Sequence, residues 1–329
     1  MTRDADIEDI RSDPEKLWAD QTSVPEQDEA IDWEAQEIQE ARVKDRVGRV
    51  IQVLVLVKTM PQLSAKYNDT VCVAGLALDP LRWVRLSPVP FRYLALENQF
   101  TKYALIEVKV RLSDGDPRFE SLKIDASSIH AFKELSSRNG WRDRAWYVEP
   151  MGEVSLCQLR RNIDVHRNGP SLGLVRPQRG SVKLELEKTP PETPEQAKKR
   201  QSILLRQELD LDEAFADRRL VKLAEPPRLS GWFHFNCEGE SECTGHKLGF
   251  IDWEFAALQH NNKSLDIEGL KELLVANFET NPTASGKDLR FFVGNLHDAA
   301  KRNSFQVLGI YYPSEQAASD GRNSLFVGL

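Results

Sequence analysis

Apolar residues run almost unbroken through VGRVIQVLVLVKT at residues 47–59. A β-branched run of that length, too short for a bilayer and bounded by a proline turn, predicts a buried strand. TVCVAGLAL and RWVRLSPV follow, separated by an Asp79-Pro80 turn, and KYALIEVKVRL leads through SDGD into RFESLKID. Short strands at this spacing predict a β-rich barrel or half-barrel. Residues 127 to 168 read as helical, with WRDRAWYVEP and SLCQLRRNI as amphipathic pieces. SLGLVRP and the alternating SVKLELEK then return to strand, and a late strand of this kind is expected to complete the barrel.

The next segment carries a capping box. Thr193 is the expected N-cap, Pro194 the first helical residue and Gln196 the third, opening a charged helix that bridges two domains and ends at AEPPRLS. GWFHFNC predicts a strand and WEFAALQ a helix. SLDIEGLKELLVANFE predicts a further helix, with Leu270, Leu273, Leu274 and Phe278 on one face and Ser264 as cap. DLRFFVGN and FQVLGIYYP add two strands. The expected class is α+β. Residues 1–46 form an acidic leader, partly disordered or helical, with Ile31, Ile38 and Val43 as a sparse stripe; 47–190 form a barrel-like domain with a helical insertion. Residues 191–228 form the bridge and 229–329 a smaller mixed domain.

Composition narrows the class. A chain of 329 residues is long enough for two cores, and 40% hydrophobic with 29% charged residues is globular. No apolar run reaches the roughly 20 residues of a membrane span, and the N-terminus is acidic where a secretory signal is basic and then apolar. Four cysteines in a chain of this size do not make a disulfide framework, so a reducing cytoplasm is the expected location. The net charge of −7 divides unevenly: residues 1–46 hold 15 acidic and 6 basic side chains, and the body carries +2. Such a leader is a solvated arm, a cover for a basic groove, or a docking arm for a protein partner.

Candidate chemistry concentrates in HFNCEGESECTGHKLGFIDWE. Cys237, Cys243 and His246 offer thiolate and imidazole at short spacing, the ligand types zinc selects. If GWFHFNC is a regular strand, His234 faces away from Cys237, which leaves Asp252, His260 or a water for a fourth position. The competing reading is a polar hairpin flanked by two small apolar residues. Cys72 and Cys157, in TVCVAG and SLCQL, read as core residues. Asp252 and Glu254 are candidate catalytic carboxylates, but the strand-to-helix switch also makes Asp252 an N-cap and puts Glu254 in the first turn.

The blocks KTMPQLSAKYNDTVCVAGLALDPLRWVRLSPVPFRYL, QFTKY, SLGLVRP, IDWE, FFVGN and FQVLGIYYP resemble those of an uncharacterised bacterial protein family, over much of residues 54–313. The resemblance implies a shared fold and no particular activity. The stretch around Asp252 belongs to the shared pattern, whereas the Cys237, Cys243 and His246 set is not universal in it.

Lys58, Lys66, Tyr67, Trp83, Arg85 and Arg92 interleave cations with aromatic rings on expected strands, the combination a reader of single-stranded or modified nucleic acid needs. Arg138, Arg142, Arg144, Arg160, Arg161, Arg167, Arg176 and Arg179, with Trp141 and Trp146, form a second basic concentration. Nucleic acid, DNA or RNA, is therefore the expected partner. The alternatives are a metal-assisted phosphodiesterase or nuclease with Glu254 as base and zinc as cofactor, and a scaffold bound through the leader. There is no Walker loop, dinucleotide fingerprint, nucleophile elbow or His-Glu-x-x-His.

Overall fold

The computed structural model describes residues 32–165, 169–213, 222–296 and 302–323. The first part of the chain supplies β1 (Arg49–Lys58), β2 (Gln62–Ser64), β3 (Asn68–Leu78), β4 (Leu81–Val89), β5 (Ala104–Leu112), β6 (Ser121–Ile124) and β7 (His130–Glu134). Hydrogen bonds run β1-β3-β4-β6-β5 and return from β5 to β1, closing a five-stranded barrel on which β2 and β7 are additions. The β4–β6 pair is parallel and the other barrel pairs are antiparallel. Val53, Val55, Val73, Val84, Ile106 and Val108 fill one core cluster. Leu54, Leu56 and Leu76 instead join Phe292, Leu308 and Tyr311 of the second sheet. Both faces of β1 are thus covered, which is why its sequence shows no polar alternation.

The second sheet contains β8 (Leu172–Val175), β9 (Lys183–Lys188), β10 (Leu229–Phe235), β11 (His246–Phe250), β12 (Arg290–Asn295) and β13 (Phe305–Tyr311), in the order β8-β12-β13-β11-β10-β9. The strands of SLGLVRP and SVKLELEK, expected to complete the barrel, pair with β12 and β10 instead. The β1–β5 ladder has already closed the barrel and leaves those late strands no barrel edge to join. Residues 172–188 therefore belong to the second sheet.

Helices complete the layers: α1 (Gln36–Val47), α2 (Arg138–Val148), α3 (Leu156–Val165), α4 (Pro194–Glu213), α5 (Trp253–Asn261), α6 (Ile267–Val275) and α7 (Glu315–Asn323). Leu156 and Leu159 of α3, Phe255 of α5 and Leu270 and Leu274 of α6 pack with Phe233, Phe250 and Phe291 of the second sheet. Helices α3, α5 and α6 thus cover the face of the second sheet turned away from the barrel.

Residues 1–31 lie outside the described residues, but α1 docks firmly: Ile38 and Ala41 are buried, and buried Asp45 accepts from Arg82 Nη2 (2.6 Å) and Arg49 Nε (2.9 Å). Val43 of the expected stripe is exposed. Within the stretch read as helical, residues 130–134 form a strand on β5. The capping box forms, with the Gln196 amide donating to Thr193 Oγ1 (3.2 Å) and the Thr193 amide to Gln196 Oε1 (2.8 Å). The helix it opens, α4, joins two adjacent strands of one sheet, so it is an excursion rather than a link between domains; Arg206 donates from it to Ala65 O and Asn68 Oδ1 of the barrel. Asp266, not Ser264, caps α6. Among the described residues no helix is long and apolar enough to cross a membrane.

Candidate metal centre

The hairpin of β10 and β11 presents its residues in strict alternation: Leu229, Gly231, Phe233 and Phe235 are buried, while Trp232 and His234 are half-exposed. His234 accordingly faces away and bonds Glu185 (2.5 Å). Past the end of β10, Cys237 makes an isolated bridge to Pro177, so its side chain is held beside the sheet. The loop then turns back through Gly239 and Gly245 at φ +75° and +94°, where a side chain would be strained, and delivers Cys243 and His246. Ser155 Oγ and Arg161 both bond Glu240, the latter at 2.9 Å, and this ties the loop to the start of α3.

The helix contributes the residue that the sequence reading assigns to the core. Cys157 lies on α3 beside the buried Leu156–Leu159–Ile163 stripe, and its Sγ is 3.4 Å from His246 Nε2. Cys237 and Cys243 Sγ are each 3.3 Å from the same nitrogen. All four ligand atoms lie within 4.8 Å of one another. The expected trio is brought together, and its fourth member is Cys157, not Asp252, His260 or a water. His260 instead lies 3.1 Å from Glu225 O. The signal for Cys157 was faint: a cysteine one position off the apolar stripe of a short helix, 80 residues before its partners.

Electrostatics match the donor set. Burial, with the facing Cys237 sulfur, pushes the Cys157 thiol up to about 12. Burial also opposes the Cys243 thiolate, but donation from the Cys237 and Gly245 amides holds its pKa below the ordinary thiol value. Three sulfurs this close cannot all ionise without a cation among them. Burial and the Arg160 guanidinium, 3.3 Å from Nδ1, lower the His246 pKa and keep the imidazole in its neutral, ligating form.

Asp252 and Glu254 are not part of this cluster. Asp252 caps α5 through Oδ1 and the Glu254 amide (2.9 Å), as the strand-to-helix switch predicts. Its other oxygen takes Lys102 Nζ at 2.9 Å, and Glu254 takes the same ammonium at 3.0 Å. Asp252 and Lys102 are buried, and the absence of a Cβ at Gly309 leaves room for the pair. Burial works against the Lys102 charge, but the two carboxylates outweigh it and hold its pKa above the ordinary range. Together with the Thr59–Asp252 bridge, this ion pair fastens the barrel to the second sheet.

The six residues expected on a nucleic-acid surface do not share one. Lys58 is 6% exposed, donates to Phe100 O (2.9 Å) and sits 4.0 Å from the Phe91 ring centroid. Arg85 is 2% exposed and reaches Ser171. Trp83 packs edge-on against Phe292 across the seam between the sheets. Arg92 bonds Asp69 (2.6 Å) and Lys222 O (2.7 Å). Lys66 is exposed beside half-buried Tyr67. In the second basic group, Arg144 stacks on Tyr103 and Trp141, Arg161 and Arg179 pair with Glu240 and Glu315, and Arg176 pairs with Glu153 and Asp288. Arg167 lies outside the described residues.

Burial lowers the Lys58 pKa to about 8, against the pull of Glu254. Because the folded value lies below the unfolded one, the unfolded chain binds more protons between pH 8 and about 10.4, and stability should rise through that window. The stability difference between wild type and Lys58→Met should therefore move in favour of wild type by about 2 kcal/mol from pH 7 to pH 10. Urea denaturation at the two pH values measures it; a constant difference would contradict the burial of this charge.

Comparison with known families gives two matches. Residues 49–150 match a domain of unknown function (DUF8758), and residues 152–327, more than half the chain, match another (DUF8757). No curated protein matches the chain.

Proposed function

The chain belongs to the family of the domain of unknown function DUF8757, and we propose that it is a zinc-binding protein whose metal is structural, held by Cys157, Cys237, Cys243 and His246. The supporting observation is the convergence of three sulfurs and one imidazole nitrogen, from a helix, a strand end, a loop and a second strand, within 4.8 Å. A zinc ion with bonds of about 2.3 Å to sulfur and 2.0–2.1 Å to nitrogen has tetrahedral S–N edges of roughly 3.6 Å, close to the 3.3–3.4 Å found here. Thiolate-rich sites select zinc over hard cations. Three thiolates and a neutral imidazole leave the site one negative charge, which Arg160 offsets.

Four protein ligands fill a tetrahedron, so no position is left for an activated water. That favours a staple over the metal-assisted hydrolase: zinc would fix α3 to the β10–β11 hairpin, and Glu254, paired with Lys102, would not act on metal-bound water. Untagged protein purified without chelator is expected to contain about one zinc per chain by elemental analysis. Zinc far below stoichiometry after growth in zinc-supplemented medium would count against the proposal.

A further inference from the structure

The sulfurs of the metal site differ in what can reach them. Cys243 is half-buried in the loop between exposed Glu242 and Thr244, and Cys157 is half-buried on α3, whereas Cys237 is 3% exposed. A bound metal keeps all three as thiolates, the form an oxidant attacks. A thiolate within reach of solvent, with a second sulfur beside it, is the arrangement of a reversible oxidation site. Cys243 and Cys237 meet that condition: the ligand atoms all lie within 4.8 Å of one another, and the Cys237 amide donates to Cys243 Sγ at 3.3 Å.

The pairing follows from what can move. A disulfide bond is about 2.05 Å long, so two of the sulfurs must draw together. Buried Leu156, Leu159 and Ile163 hold α3, and Cys157 with it, against the sheet. Cys237 and Cys243 instead flank one loop outside the strands, with Gly239 and Gly245 to absorb a change of backbone direction. Resting on the zinc reading above, we infer that Cys243 is an oxidation site: a hydroperoxide joins it to Cys237 as a disulfide within the hairpin, which expels the zinc and unfastens α3.

The electrons balance. The Cys243 thiolate attacks the peroxide O–O bond, which breaks, leaving a sulfenic acid and releasing hydroxide. The Cys237 thiolate then attacks that sulfur; the S–O bond breaks, a second hydroxide leaves and the S–S bond forms. Two thiolates are oxidised and one peroxide is reduced. Zinc then keeps only Cys157 and His246, too few to hold it. Cys237 Sγ also accepts from the Leu156 and Cys157 amides at the start of α3, and loss of its charge weakens that contact.

The test treats the zinc-loaded full chain with hydrogen peroxide. Zinc is measured before and after, free thiols are alkylated, disulfides are mapped by mass spectrometry, and hydrogen exchange is followed over residues 156–163. Release of the zinc is expected, with a Cys237–Cys243 bridge, an alkylated Cys157 and exchange in α3 faster by about tenfold or more. Dithiothreitol with added zinc should reverse all of it, and Cys72→Ser should respond as wild type does. Zinc present at the outset but retained through the treatment, a bridge that includes Cys157, release that requires Cys72, or a product that reduction does not reverse overturns the inference and leaves the zinc reading standing. A chain without zinc at the outset overturns both.

Discussion

Cys157→Ser is expected to yield a chain without its metal and less stable by about 4 kcal/mol or more, the range reserved for loss of a metal or a comparable structural unit. A hydroxyl is a poor substitute for a thiolate at zinc, and the three remaining ligands come from the hairpin alone. Loss of the fourth therefore frees α3 from the sheet as well as weakening the site, since metal affinity and folding are linked. Cys72→Ser is the internal control: its Sγ lies 3.6 Å from Arg85 Nη1 and outside the cluster, so that variant should keep full metal content. Elemental analysis with chemical denaturation of both variants checks the pair of outcomes. Retention of metal and stability in Cys157→Ser would show that α3 contributes no ligand.

The second large effect concerns the seam between the sheets. Lys102→Met should cost about 3–5 kcal/mol, because it leaves the Asp252 carboxylate, at 0% exposure, without its countercharge. Lys102→Met combined with Asp252→Asn should recover a large part of that loss, since no unpaired charge then remains buried. Glu254→Gln, whose side chain is 54% exposed, should cost less than about 1 kcal/mol and leave the metal in place. Urea denaturation of the single and double variants measures the coupling; additivity would contradict the ion pair as the fastening between barrel and sheet.

Much of the architecture was legible in local pattern. The unbroken apolar run of β1 announced a strand covered on both faces, the alternation of GWFHFNC turned His234 away from Cys237, and Thr193-Pro194 and Asp252 marked helix starts that the backbone uses. Each of these is decided within a few residues. What depends on distant pairing was not legible: β8 and β9 look like any other strands, and only the closure of β5 onto β1 sends them to the other sheet. Cys157 was hidden for the same reason, being 80 residues from Cys237 and separated from it by three strands and a helix.

The cations teach the complementary lesson. Residue type gives charge but not direction, and a strand that carries Lys58 or Arg85 between valines and leucines looks half-exposed until the second sheet is placed over it. Once β12 and β13 cover that side of the barrel, Arg85 is enclosed against Ser171 and Trp83 against Phe292. Of the six residues expected on an outer surface, Lys58 and Arg85 are inner ones.

X-ray absorption at the zinc K edge of the purified chain tests the central claim most directly. A single shell of three sulfurs near 2.3 Å and one nitrogen near 2.0–2.1 Å is the predicted result, losing one sulfur or the whole signal in Cys157→Ser. A zinc site dominated by oxygen and nitrogen, or a spectrum unchanged by that substitution, would contradict it.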